Sequence, residues 1–133
     1  VCIGSISGTM MPQLAKGRGK KIYEQWALKD SSIQLSQTLP HTYLDSNDPP
    51  IYLLCGSDDY VCPVEYTEQF VAKLQLEDVE YQIEVLPKKG HIFTEPECFL
   101  GLLGFFDQHL GGNARKAMEK QISTSSRSGR SGK

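Results

Sequence analysis

The sequence predicts an α/β fold: a three-layer α/β/α arrangement on a mostly parallel sheet, with about three strands and three to four helices. Three observations predict it. "IYLLC", residues 51–55, is apolar at every position, which suits a strand covered on both faces, as in a parallel sheet. Strand-like and helix-like segments alternate along the chain. The connections between the strand-like segments are long enough for crossovers.

Taken in order, "VCIGSIS" reads as a short buried strand ended by Gly8. A loop, "AKGRGK", precedes a helix in "KKIYEQWALKD", where Ile22, Tyr23, Trp26 and Ala27 share one face. "SSIQLSQTLPHTYLDSNDPP" is polar and punctuated by proline, a long irregular connection to the strand at 51–55. Pro63 suits the first position of a helix whose stripe is Tyr66, Phe70, Val71 and Leu74, ending near Leu76. "VEYQIEVL" alternates, with Val79, Tyr81, Ile83 and Val85 on one side and Glu80, Gln82 and Glu84 on the other. That predicts a half-exposed strand at or near a sheet edge. Thr94 is a candidate cap for a last helix with Pro96 in its first turn. Its expected buried face is Phe99, Leu102, Leu103, Phe106 and Leu110, and Gly111-Gly112 stop it.

Domain organisation follows from charge. Residues 1–111 carry 8 Lys/Arg against 15 Asp/Glu, whereas residues 112–133 carry 6 against one. At 133 residues the chain is one domain's worth: the body, 1–111, is acidic, and 112–133 reads as a basic, disordered tail with one weak helical stretch. An acidic body argues against nucleic-acid binding. No apolar run approaches the roughly 18 residues of a membrane span. Cys2, Cys55, Cys62 and Cys98 show no metal spacing, and the three histidines are far apart in sequence, so neither a metal nor another cofactor is expected. Free thiols in a reducing, cytoplasmic compartment are the simpler reading of these cysteines. The chain opens at Val1 in strand-like sequence and so reads as a piece of something longer, which leaves the parent protein's targeting open.

In open parallel sheets, reactive groups collect at the carboxyl ends of strands. Asp58-Asp59 follow one such strand and His91 follows the next. An acid accepting the imidazole Nδ1–H would set the tautomer and leave the other nitrogen as a base. The alternative is a turn aspartate and a loop histidine that do not touch.

"PPIYLLCGSDDYVCP", followed by a helix, an alternating strand and "LPKKGHIF", resembles the C-terminal half of α/β-hydrolase fold enzymes. The resemblance implies that Gly56 is the turn glycine, Asp59 the triad acid and Gly90-His91 the catalytic histidine motif, in the family's order Ser…Asp…His. On it, residues 1–111 form a partial α/β-hydrolase domain. Among relatives the pattern looks most like carboxylesterases of the kynurenine-formamidase and prenylcysteine-methylesterase type. It implies a serine-type hydrolase acting on a small-molecule carboxylic ester or amide, with His91 as general base and acid and Asp59 as its orienting partner. Prolyl-oligopeptidase-like peptidases share the closing motifs and form the enzymatic alternative. A non-catalytic scaffold fragment is the alternative from another class.

The family's Gly-x-Ser-x-Gly is missing from the sequence. The nearest candidate nucleophile is Ser7 in "SISGT", a small-x-Ser-x-small arrangement after a strand. Pro12, Gly17 and Gly19 argue against the helix that a nucleophile elbow must feed. The expectation is that the nucleophile and its oxyanion donors lay upstream, so that this chain alone turns over substrate poorly. A first strand without its neighbour would expose a sheet edge, and self-association through that edge is expected.

Overall fold

In the computed structural model, which describes residues 1–8, 20–21, 24–25 and 35–128, three parallel strands form one sheet. β1 (Ile3–Ile6), β2 (Ile51–Gly56) and β3 (Tyr81–Leu86) lie in that order, with β2 in the centre. Ile51 is level with Ile3 on one side and with Tyr81 on the other. The three strands therefore start together and deliver their carboxyl ends to one edge of the sheet.

β2 is buried at all six positions, and its alternating side chains build two cores. Ile51 and Leu53 pack with Phe70 and Leu74 of helix α1 (Val64–Leu76) and with Val79. Tyr52 and Leu54 pack on the opposite face with Leu102 and Phe105 of helix α2 (Leu100–Leu110), together with Phe93 and Cys98. An unbroken apolar run is thus what a strand needs when helices cover both its faces. Full burial of one such Leu or Phe side chain contributes about 1.5–3 kcal/mol, so these two clusters, centred on β2, hold the layers together.

Besides β1, which was expected to be buried and is exposed at Ile3, Gly4 and Ile6 because among the described residues a strand flanks it on one side only, four local expectations come out differently. On β3, Glu84 is half-buried while Val85 is exposed, because the face carrying Glu84 lies under α2. There the Tyr52 hydroxyl donates to the Glu84 carboxylate. Thr94 caps nothing: a 3-10 turn over Pro96–Phe99 precedes α2, Glu95 stands at its N-cap position, and the Glu95 carboxylate accepts the Thr94 N–H. In α2 itself Phe105 is buried, whereas Leu110 at the last turn is exposed.

The fourth difference is the tail. Ala114–Ser128 forms helix α3, which packs on α2, where a disordered tail with one weak helical stretch was expected. Its start is held from the preceding helix. The Asp107 carboxylate accepts the N–H groups of Ala114 and Arg115 at 2.9 and 3.0 Å, satisfying two donors that a helix N-terminus leaves unpaired. Gly112 makes room for it, since a Cβ there would lie 2.8 Å from Asp107 Oδ1. A cap six or more residues upstream is invisible to a local reading of the sequence.

Lys20, Lys21, Glu24 and Gln25 are helical, with Lys20 Nζ 3.8 Å from Glu24 Oε1. The face expected from Ile22, Tyr23, Trp26 and Ala27 lies outside the described residues. The polar connection that follows contains two short 3-10 turns, Leu35–Thr38 and Pro40–Thr42. None of the described helices is long and apolar enough to cross a membrane.

Candidate active site

Two loops meet at the carboxyl edge of the sheet, one after β2 and one after β3. They are joined through backbone. Ser57 N–H donates to Leu86 O at 2.9 Å and Asp58 N–H to Lys89 O at 2.8 Å. Ser57 Oγ accepts the Lys88 N–H at 2.8 Å, with Lys88 in the left-handed region at φ 58°. The loops run so close that a Cβ on Gly56 would lie 2.2 Å from Lys89 O and 2.6 Å from Gly90 O. Glycine at 56 is therefore a packing requirement of this junction.

The junction sets Asp59 against His91. Asp59 Oδ2 lies 3.0 Å from His91 Nδ1. Its other oxygen, Oδ1, accepts the N–H groups of Val61 and Cys62, both at 2.8 Å. One oxygen is thus committed to the turn that leads through Pro63 into α1, and the other is left for the imidazole. The Asp59 side chain is fully buried, and burying a carboxylate is costly unless donors surround it. Three donors do so here. A carboxylate oxygen accepts, so Nδ1 carries the proton and Nε2 keeps its lone pair. His91 is about one-third exposed (35%), and it is the solvent-facing member of the pair.

The two acids of the sequence are separated by this geometry. Asp58 is exposed, and among the described residues its carboxylate accepts only the neighbouring Ser57 hydroxyl, at 2.7 Å. On the histidine side, Lys89 pairs with Glu95 across the loop. The Lys89 ammonium, with the Glu95 and Thr94 backbone N–H groups, holds the Glu95 carboxyl down to about 2. Tyr60 and Ile92, the residues that follow Asp59 and His91, are largely exposed.

Ser7 sits beyond the last residue of β1, its N–H donating to Leu54 O at 2.8 Å, in the left-handed region at φ 47°. Its Oγ is buried and has no hydrogen-bond partner among the described residues, so it is not bonded to His91. A nucleophile needs its base within hydrogen-bond reach. The geometry therefore joins Asp59 to His91 and leaves Ser7 out, and the segment that follows Gly8 lies outside the described residues.

One residue near the pair was not singled out by sequence. The ligand-capable atoms of Asp59, Cys62 and His91 all lie within 4.8 Å of one another. Cys62 is buried, three residues after Asp59 on the same turn, and this i, i+3 spacing was the only signal available. A separate apolar groove of about 330 Å³ is lined by Ile3, Tyr43, Leu44, Ile51 and Phe70. Ile3 and Ile51 start their strands, so this groove opens at the other end of the sheet from Asp59 and His91.

The fold has counterparts among solved structures. The chain resembles esterase B from Lactobacillus rhamnosis (TM-score 0.58, 16% identity), covering 95% of this chain and 43% of that one. It resembles an acetyl ester-xyloside bifunctional hydrolase from Caldicellulosiruptor lactoaceticus (TM-score 0.50, 23% identity), covering 94% and 42%. A truncated carbohydrate esterase from gut microbiota matches with TM-score 0.51 and 21% identity over 56% of this chain and 27% of that one. At these identities the likeness is one of fold, and this chain spans less than half the length of each of the three. No curated protein matches it. The Prolyl oligopeptidase family, Peptidase_S9, matches residues 14–113, which include both loops of the Asp59–His91 junction. With three parallel strands, helices on both faces and that match over most of its length, the chain is a partial α/β-hydrolase fold and belongs to the prolyl oligopeptidase family.

Proposed function

We propose that this chain is the C-terminal portion of a serine-type hydrolase of carboxylic esters, in which His91 is general base and acid and Asp59 orients it. The observation that carries the reading is the 3.0 Å contact between Asp59 Oδ2 and His91 Nδ1 at the ends of adjacent parallel strands. In the reaction, His91 Nε2 takes the proton of a serine hydroxyl as that oxygen attacks the ester carbonyl, then returns it to the leaving alkoxide. Asp59 stabilises the imidazolium formed between those steps without taking the proton itself. The serine and its oxyanion donors are assigned to the part of the fold that this chain does not span. The fold likeness to esterases supports the ester class, and the exposed apolar side chains of Tyr60 and Ile92, next in sequence to the pair, would suit an acyl or alkyl group.

The family match favours one alternative, a peptidase using the same pair on a peptide bond. The two separate by assay of the complete protein on acetyl esters and on proline-containing peptide amides. His91→Ala and Asp59→Asn should each lower kcat/KM on the preferred substrate by about 10³–10⁴-fold, the scale on which triad members act. A complete protein that hydrolyses esters equally well with Asn at 59 overturns the assignment, and one that hydrolyses neither substrate class favours a non-catalytic scaffold. Four cysteines without metal-ligand spacing suit a reducing, cytoplasmic location for the protein.

A further inference from the structure

Cys62 has no task in the proton transfer just described, yet its thiol lies within reach of both partners. Asp59, Cys62 and His91 offer a carboxylate oxygen, a sulfur and an imidazole nitrogen, all within 4.8 Å of one another. This is a mixed O, S, N set of the kind that holds zinc. Asp59 and Cys62 are both buried, which separates the cluster from the surface acid groups common in any protein. They are also held rigidly, since Asp59 Oδ1 is tied to the Cys62 N–H.

We infer that Asp59, Cys62 and His91 form a binding site for a thiophilic divalent cation such as Zn²⁺, and that the bound ion switches the Asp59–His91 pair off. Binding is argued from the cluster alone; the switching consequence rests on the function proposed above. Tetrahedral zinc bonds of roughly 2.0–2.3 Å place ligand atoms roughly 3.3–3.7 Å apart. The Asp59–His91 contact, at 3.0 Å, is a few tenths of an ångström shorter than that range, so the two side chains would part slightly, and side-chain rotations of about an ångström bring the sulfur to it. Three protein ligands leave a fourth position, which the one-third exposed His91 places toward solvent as the route of entry.

The proton inventory shows why the ion would inhibit. Cys62 binds as thiolate, and its proton goes to solvent. If the ion bonds His91 Nδ1, the ring proton moves from Nδ1 to Nε2; if it bonds Nε2, the lone pair there is used directly. Either way Nε2 can no longer accept a proton from a nucleophile. No oxidation or covalent change of the chain is involved, so removal of the ion restores the pair.

The test is titration of the full reduced chain with Co²⁺, a spectroscopic stand-in for zinc. One ion per chain should bind, with a thiolate-to-cobalt charge-transfer band and the visible bands of a tetrahedral site, and Zn²⁺ should displace it. Cys62→Val should abolish the charge-transfer band. It and His91→Ala should each weaken binding by more than the roughly 10–100-fold that loss of an outer partner of a metal ligand costs. Cys98→Ala should keep the band. Circular dichroism of each variant verifies its fold, and His91→Ala, at a part-exposed position, gives a second reading if the Cys62 change fails to fold. No band in the parent chain, or a band that survives Cys62→Val, overturns the site. In the complete protein, Zn²⁺ should inhibit ester hydrolysis reversibly by chelator. Measured against each protein's own metal-free rate, Cys62→Val should raise the zinc needed at least tenfold. Absence of turnover there counts against the hydrolase reading alone, whereas a cobalt failure counts against the metal site alone.

Discussion

At the scale of single residues, the adjacent acids Asp58 and Asp59 have the same chemistry and different surroundings. Asp59 has its side chain fully buried, with three donors around it, while Asp58 is exposed and, among the described residues, has only a hydroxyl beside it. A neutral amide at 59 would hold the imidazole by a different atom and favour the wrong tautomer. At 58 it would disturb one surface hydrogen bond. Asp58→Asn should therefore leave kcat/KM of the complete protein within about twofold, since surface changes of this kind are worth less than about 0.5 kcal/mol. Parallel kinetics of the 58 and 59 variants check the contrast. The preference for Asp59 came from the resemblance to α/β hydrolases, whose Gly-x-x-Asp turn falls on Gly56 and Asp59. That Cys62 would join it was not, because the third partner, His91, comes from another loop.

Among the elements, the junction between the loops after β2 and β3 depends on close backbone approach. Gly56→Ala would drive a methyl group to 2.2 Å from Lys89 O, a backbone atom with no freedom to rotate aside. Overpacking of this kind costs typically about 1–3 kcal/mol. Urea unfolding should show that loss, and Asp59 and His91 should separate, so that activity of the complete protein falls with stability. An unchanged midpoint would mean that the loops are not clasped at this glycine. A second packing requirement lies under α2, where a Cβ on Gly101 would meet the Tyr52 hydroxyl at 2.1 Å. Burial and the Glu84 carboxylate push the Tyr52 phenol well above its ordinary value of 10.0, with Arg115 opposing weakly. An unfolded tyrosine ionises near that value while folded Tyr52 stays neutral. The stability linked to this proton is fully present below pH about 10 and is lost as pH rises beyond it. Burial raises the Cys55 thiol from 9.0 in the same sense. Alkaline unfolding should therefore begin at about pH 9–10, and Tyr52→Phe should flatten the part of the slope that starts near 10. A slope identical in the variant would refute that contribution.

At the scale of the whole molecule, the sheet formed by the described residues ends at β1. Among the described residues β1 pairs with β2 alone, and Ile3 and Ile6 are 44% and 47% exposed. A short edge strand with apolar side chains is a template for further pairing. We propose that the isolated chain associates through this edge. Sedimentation should show mass increasing with concentration, and Ile3→Lys with Ile6→Lys should shift it toward monomer, because edge charges oppose pairing. A parent chain that stays monomeric across the range would dispose of the proposal.

The order of strands and helices, the burial of β2 on both faces and the pairing of an acid of Asp58-Asp59 with His91 were legible in the sequence itself, and the resemblance to α/β hydrolases chose Asp59. Those features come from local pattern: an unbroken apolar run, helical stripes and glycine-marked turns at strand ends. Only the tertiary structure decided what depended on segments far apart in the chain. It divided the two oxygens of Asp59 between its own turn and His91, 32 residues on. It put Glu84 under a helix against Tyr52 and capped α3 from Asp107, where the sequence suggested a solvent face and a disordered tail. It set the Cys62 thiol beside the imidazole. Periodicity records which face of an element is covered, but not which polar group waits on the other side of the contact.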